Sequence, residues 1–305
     1  MTTKEHDHIV PDSERRGLIG ALPKALRPLA SLMRIDRPIG VWLLFWPGAW
    51  SVALAGMGGH GPMLILWLAI GAFAMRSAGC VYNDIVDRNL DARVERTRLR
   101  PLASGRVTLR TAWLLLVALG LAGLVVLLQF NPMAQIAALA SLVPVALYPF
   151  MKRITWWPQA WLGLVFSWAA LVGWPAVTGR IEPAALLLYA GSICWVIGYD
   201  TIYALQDRED DALVGVKSSA LALGGRVREG VGFFYLLALG LWSAAIWQVR
   251  PDLPGLAALL PMTLHLLWQV LTLRLEDGGD ALAKFRSNRF AGLLMFLACL
   301  VVGTA

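Results

Sequence analysis

The chain has 305 residues, of which 58% are hydrophobic and only 15% charged, with a net charge of +7 and a mean hydropathy of +0.62. Soluble domains carry about 25% charged residues, so this composition excludes an ordinary water-soluble globule and points to an all-α polytopic membrane protein. A membrane β-barrel is excluded as well, because its strands need ~10-residue stretches of alternating polarity, a pattern the sequence lacks.

In chain order, residues 1–30 read as a polar N-terminal tail and 31–305 as a single transmembrane domain. The opening MTTKEHDHIVPDSERR has no early apolar run and no cleavage site, so it reads as a solvated, disordered segment rather than a signal peptide. His6 and His8 in that tail make a poor metal site, because nothing holds them in place. Nine apolar segments follow, at roughly 37–56, 62–83, 112–130, 133–151, 158–178, 182–206, 231–249, 254–273 and 288–305. Each is near the ~20 residues a helix needs to cross a bilayer. Cys80, Cys194 and Cys299 sit in separate segments, with neither zinc spacing nor a disulfide framework.

Of the 27 basic residues, 24 lie in the N-terminal segment and in alternate connections, while the other connections hold only Arg180 and Arg250. Basic loops stay on the cytoplasmic side. The N-terminus and the loops after the second, fourth, sixth and eighth segments are therefore expected to be cytoplasmic, with the C-terminus opposite, as in a bacterial inner membrane. Topology and anionic lipid headgroups account for this positive charge, so no nucleic-acid partner is expected.

The second segment ends GCVYNDIVDRNLD, residues 79–91. At about 100° per residue, Asp84, Asp87 and Asp91 fall within about 60° of one another on a helix, with Asn83 close by. Three like charges on one face need a cation or full solvation. The sixth segment ends YDTIYALQDREDD, residues 199–211. By the same arithmetic Asp200, Asp207 and Asp211 fall within about 40°, with Tyr203 near that face and Asp210 elsewhere. A single Asp is ordinary where a helix reaches water; six at helical spacing on two segments are not. Ionisable residues at membrane depth are functional candidates, and the parallel between the two stripes reads as a weak internal repeat. Asp is a hard oxygen ligand suited to Mg2+, which takes few carboxylates and bridges to substrate phosphates. Basic residues flank both stripes. Arg76 stands inside the second segment, where it serves either as a structural ion pair or as a contact to an anionic substrate. RTRLRPLASGR follows the first stripe, Lys217 follows the second, and Tyr148 and Lys152 are one turn apart in YPFMK.

The two Asp motifs, MRIDRPIGVWLLFWPG, RSAGCVYND with Arg76, RTRLRPLASG, YPFMK and VGVKSSA together resemble the UbiA-type intramembrane prenyltransferase superfamily across residues 32–295. Within it, the wording is most similar to the branch that prenylates 4-hydroxybenzoate for ubiquinone. The resemblance implies about nine transmembrane helices around a central cavity, with the Asp motifs at its cytoplasmic end. It implies polyprenyl diphosphate and 4-hydroxybenzoate as substrates, Mg2+ as cofactor, and a prenyl tail that opens to membrane lipid. Asp84, Asp87, Asp91, Asp207 and Asp211 would hold the metal and its diphosphate. Arg76, Asn83, Tyr148, Lys152, Tyr203 and Lys217 would contact substrate, and Asp200 or Asp207 would take the ring proton unless the released diphosphate does. Homogentisate, dihydroxynaphthoate or a lipid alcohol are alternative acceptors. A CDP-alcohol phosphotransferase would need a D-G-x-x-A-R run, which is missing. A cation-coupled transporter would carry its carboxylates near the bilayer midplane on broken helices.

Overall fold

A computed structural model of the protein describes residues 16–93, 97–208 and 217–304. The tail with His6 and His8, and Asp210 and Asp211, lie outside the described residues, as do the side chains of Lys152 and Asp207. Among the described residues the structure is helical, with no strand. Eight helices are long and apolar enough to cross a membrane, and a further apolar helix, Ile39–Leu54, is shorter. The protein is an integral membrane protein. Its surface agrees: Leu236, Leu271 and Val143 are each about two-thirds exposed, a disposition lipid accepts and water does not.

The helices are α1 (Arg16–Ala21), α2 (Arg27–Leu32), α3 (Ile39–Leu54), α4 (Gly61–Asp91), α5 (Leu109–Leu127), α6 (Pro132–Ala140), α7 (Leu142–Ile154), α8 (Pro158–Ser167), α9 (Ala169–Thr178), α10 (Pro183–Tyr203), α11 (Ser219–Leu223), α12 (Val227–Val249), α13 (Leu253–Ala257), α14 (Leu260–Thr272) and α15 (Gly278–Gly303). Several apolar segments open on proline within the first turn, as at Pro132, Pro158 and Pro183, where its missing N–H costs nothing and its fixed φ suits a helix. Two helices run eight residues or more past their apolar segments. α4 continues to Asp91, and its 31 residues span roughly 46 Å at 1.5 Å per residue, against ~30 Å of hydrocarbon. The first Asp motif therefore rides on the turns for which the apolar layer has no room. α15 begins at Gly278, ten residues before its apolar run, because Asp277 caps it by accepting from the Asp280 N–H at 3.0 Å.

The chain forms two units, one of residues 1–41 and 71–125, the other of 42–70 and 126–305. The first unit is built on α2, α4, α5 and the connection before α5. Leu32, Ala78, Val81, Leu102, Val107, Ala112 and Leu119 are buried together, with Leu29, Met33, Ile85, Leu115 and Leu116 packed around them. Leu102 and Val107 come from the loop, so the basic connection after the first Asp motif is tied down by its own apolar residues.

In the second unit α10 is central and packs along α12, α8 and α15. Trp50, Trp195 and Trp242 are fully buried, with ring centroids 5.0–6.3 Å apart. Two of the indoles are satisfied internally: Trp50 Nε1 donates to the Gly292 carbonyl at 2.8 Å and Trp195 Nε1 to Asn288 Oδ1 at 2.9 Å. Asn131 caps α6 through the Ala134 N–H and donates from Nδ2 to the Pro175 and Ala176 carbonyls of α9. At Gly173 the backbones of α9 and α3 approach so closely that a Cβ would lie 2.5 Å from the Gly48 carbonyl oxygen. Small residues at such crossings are the rule in membranes, where close van der Waals contact must replace the hydrophobic effect. A Gly173→Ala substitution has only backbone to push against and is expected to cost about 1–3 kcal/mol. Heat-induced aggregation in detergent should begin at a visibly lower temperature than for Gly240→Ala, where nothing lies within 4 Å.

Candidate active site

The first Asp motif occupies the last two turns of α4. Asp84, Asp87 and Asp91 are 2%, 0% and 5% exposed, so the solvated alternative is ruled out and cations supply the compensation. Arg34, in the turn between α2 and α3, places Nη2 2.9 Å from Oδ1 and 3.0 Å from Oδ2 of Asp84. Arg100, in the loop before α5, places Nη1 2.8 Å from Asp91 Oδ2 and 3.4 Å from Asp84 Oδ1. Breaking a buried pair by removing one partner costs about 3–5 kcal/mol, so these arginines are integral to the helix end. Burial lowers the pKa of the Arg34 guanidinium, but the Asp84 carboxylate beside it, joined by Cys80 and Asp36, outweighs burial and the net direction is upward. Arg34 is thus charged at every working pH.

The loop carrying Arg100 is fastened to the same helix. Thr97 Oγ1 donates to the Asp91 carbonyl at 2.9 Å, the Val107 N–H donates to the Pro101 carbonyl at 2.9 Å, and Arg106 Nη2 donates to the Leu99 carbonyl. On the apolar side of the motif, Arg76 donates from Nη1 to Cys80 Sγ. Gly40, in the first turn of α3, makes room for it: a Cβ there would sit 2.5 Å from Arg76 Nε. Asn83 is half-buried one position before Asp84.

In the second unit, Asp200 and Tyr203 are half-buried on the last turn of α10, and the Tyr203 ring lies 4.5 Å from Phe285. Tyr199 joins the same aromatic run, 5.8 Å from Phe285 and 4.9 Å from Trp195. The α-helix stops at Tyr203 and continues as a 3-10 turn over Ala204–Asp207. The unbroken α-helix that the angular arithmetic assumed between Asp200 and Asp207 is therefore interrupted, and Asp211 lies outside the described residues. The tighter winding turns each residue about 120°, and Asp207 follows it. The connection after the motif returns to α10 through Ser219, whose hydroxyl is 2.6 Å from Thr201 Oγ1 and whose N–H donates to Gln159 Oε1 at 3.0 Å. Lys217 donates from Nζ to the Ile154 carbonyl at 3.2 Å and lies over the Trp156 ring at 5.6 Å. It thereby closes the end of α7, the helix bearing Tyr148, which is half-buried, and Lys152.

Sequence reasoning pointed to Arg100 through its basic run but gave Arg34 no role. The missed signal was conformational. Arg34 is the one non-glycine described residue with positive φ, 57°, in a position after a helix where glycine is usual.

Among the described residues, no three His, Cys, Asp or Glu side chains converge as a ready metal cage. Mg2+ does not require one, since it keeps several waters and takes one or two carboxylates plus substrate phosphates. Buried carboxylates on one helix face, with arginines close by, fit that ion in donor chemistry.

A sequence model of the UbiA prenyltransferase family matches residues 44–300. The chain is 46% identical over 286 residues to the mitochondrial 4-hydroxybenzoate polyprenyltransferase of Drosophila melanogaster, covering 93% of this chain and 73% of that one. Among solved structures it is similar to the apo form of a UbiA homolog from Aeropyrum pernix K1, with a TM-score of 0.67, 24% identity, and 85% and 97% of the two chains covered. It is also similar to a UbiA homolog from Archaeoglobus fulgidus bound to GPP and Mg2+, with a TM-score of 0.63, 16% identity, and 91% and 100% covered. The helical architecture, the match across most of the chain and the extent of identity to the Drosophila enzyme agree, and the chain belongs to the UbiA prenyltransferase family.

Proposed function

We infer that the protein transfers a polyprenyl group from polyprenyl diphosphate to the ring carbon ortho to the hydroxyl of 4-hydroxybenzoate, in ubiquinone biosynthesis. The observation that carries this reading is the 46% identity, over nearly the whole chain, to a 4-hydroxybenzoate polyprenyltransferase. We place the protein in a bacterial inner membrane with its N-terminus and basic loops cytoplasmic and its C-terminus opposite; the loop charge bias supports the orientation.

Asp87 and Asp91 of the first motif, and Asp207 and Asp211 of the second, are the residues we assign to Mg2+, with Asp84 completing the acidic cluster beside them. The GPP and Mg2+ bound to the Archaeoglobus homolog support that cofactor and donor class. When bound, the metal neutralises charge building on the diphosphate as it leaves the allylic carbon. Arg76, Lys152 and Lys217 supply further positive charge to the diphosphate or to the acceptor carboxylate. Asn83, Tyr148 and Tyr203 orient the substrates by hydrogen bonding, and the prenyl tail extends into membrane lipid. The ring carbon attacks the allylic carbon, the carbon–oxygen bond to diphosphate breaks, and the ring proton passes to Asp200, to Asp207 or to the released diphosphate. Dry, aromatic surroundings protect the electron-poor carbon from water.

Purified protein with Mg2+, a polyprenyl diphosphate and 4-hydroxybenzoate should yield the 3-prenylated acid; product from homogentisate or dihydroxynaphthoate alone would transfer the activity to another acceptor. Excess chelator should abolish turnover and added Mg2+ restore it. Asp87→Asn and Asp207→Asn should each lower kcat by at least about 100-fold while the protein still elutes as a folded species in detergent. Full activity in either variant would remove that residue from the metal set.

A further inference from the structure

Arg34 stands where the backbone favours glycine. After α2 the chain closes with two paired bonds, from the Arg34 N–H to the Ser31 carbonyl and from the Ile35 N–H to the Ala30 carbonyl, each 3.1 Å. This cap puts its turning residue in the left-handed region, where glycine is free of strain and a side chain is not. Arginine occupies it with φ at 57°. The strain is matched by what the side chain does: Nη1 donates to the Ser31 carbonyl at 2.9 Å, locking the guanidinium to its own cap, and Nη2 reaches both oxygens of Asp84. The pair is nearly closed to water, with 14% of the Arg34 side chain and 2% of the Asp84 side chain exposed. A backbone outlier that persists against its local preference is a reason to look for function.

We propose that Arg34 is a positioning residue for the prenyl-transfer site, and that Asp84 is its fixed counter-charge rather than a metal ligand. This rests on the functional reading above and divides the labour within the first motif. With both carboxylate oxygens held by a guanidinium locked to a helix cap, Asp84 pins the α2–α3 turn to α4 and sets the rotation of the α4 end. Asp91 is held differently. Its partner Arg100 stands on a loop, is 24% exposed and offers one nitrogen to one oxygen, an arrangement an incoming cation can displace. Asp87 and Asp91 are then the first motif's ligands.

The test is Mn2+ binding in the presence of inorganic diphosphate, read by electron paramagnetic resonance, beside turnover. Asp84→Asn should leave the Mn2+ dissociation constant within about twofold of the unaltered protein, whereas Asp87→Asn should weaken it by more than about tenfold. Arg34→Gly relieves the backbone and so is expected to elute as a folded species, yet it should lower kcat by about 10–100-fold with little change in KM for the donor. The double variant Arg34→Gly/Asp84→Asn should be no worse than Arg34→Gly alone, since it removes the stranded charge. Arg34→Lys, which keeps the charge but not the fork, should recover only part of the rate. Equal loss of Mn2+ binding in Asp84→Asn and Asp87→Asn would overturn the assignment, as would full turnover in Arg34→Gly. Failure of the unaltered protein to bind Mn2+ at all would overturn the functional reading itself, and the assignment with it.

Discussion

A carboxylate withdrawn from water must be met by a cation or give up its charge, and the first unit is organised around that requirement. Three aspartates within two turns of α4 are almost wholly enclosed. Two arginines from either side in sequence, Arg34 and Arg100, meet two of them. Each arrives on a segment that must itself be held: Arg34 by a helix cap, Arg100 by a loop with apolar residues in the core. Arginine suits this task better than lysine because its separate nitrogens can serve different acceptors, as Arg34 does at the Ser31 carbonyl and Asp84, and its charge survives burial. The result is a set of paired charges fixed at the end of α4 by the fold itself.

The same rule, that lipid offers polar groups no partners, shapes the second unit more quietly. Asn131, Asn288 and the indoles of Trp50 and Trp195 satisfy helix ends, side chains and one another inside the bundle. Glycine at a crossing such as Gly173 lets helices approach closely enough for dispersion to hold them. This rigid, aromatic-rich framework carries Asp200 and Tyr203 on the end of α10.

Periodicity and composition were sufficient for the helical, membrane-spanning class and for the grouping of Asp84, Asp87 and Asp91. Both depend on local sequence: apolar runs of bilayer length, and a helix whose turn is fixed by its own hydrogen bonds. The same periodicity could not foresee the 3-10 turn over Ala204–Asp207, because the choice between the two windings is made by packing and closing bonds. The reach of α4 past its apolar segment, and the early start of α15 at its Asp277 cap, were also hidden from a hydropathy reading, which ends a helix where polar residues begin.

What the sequence determined by itself was the membrane class, the acidic stripe and the need for a cation beside it. Which cations answer that need was decided by tertiary structure alone. Arg34 precedes Asp84 by fifty residues, and no local pattern links them. The link exists because a left-handed turn after α2 aims one guanidinium, and the packing of Leu32 with Ala78 and Val81 brings that turn to α4. Local periodicity can place charges on a face; only the folding of distant segments against one another can decide what those charges meet.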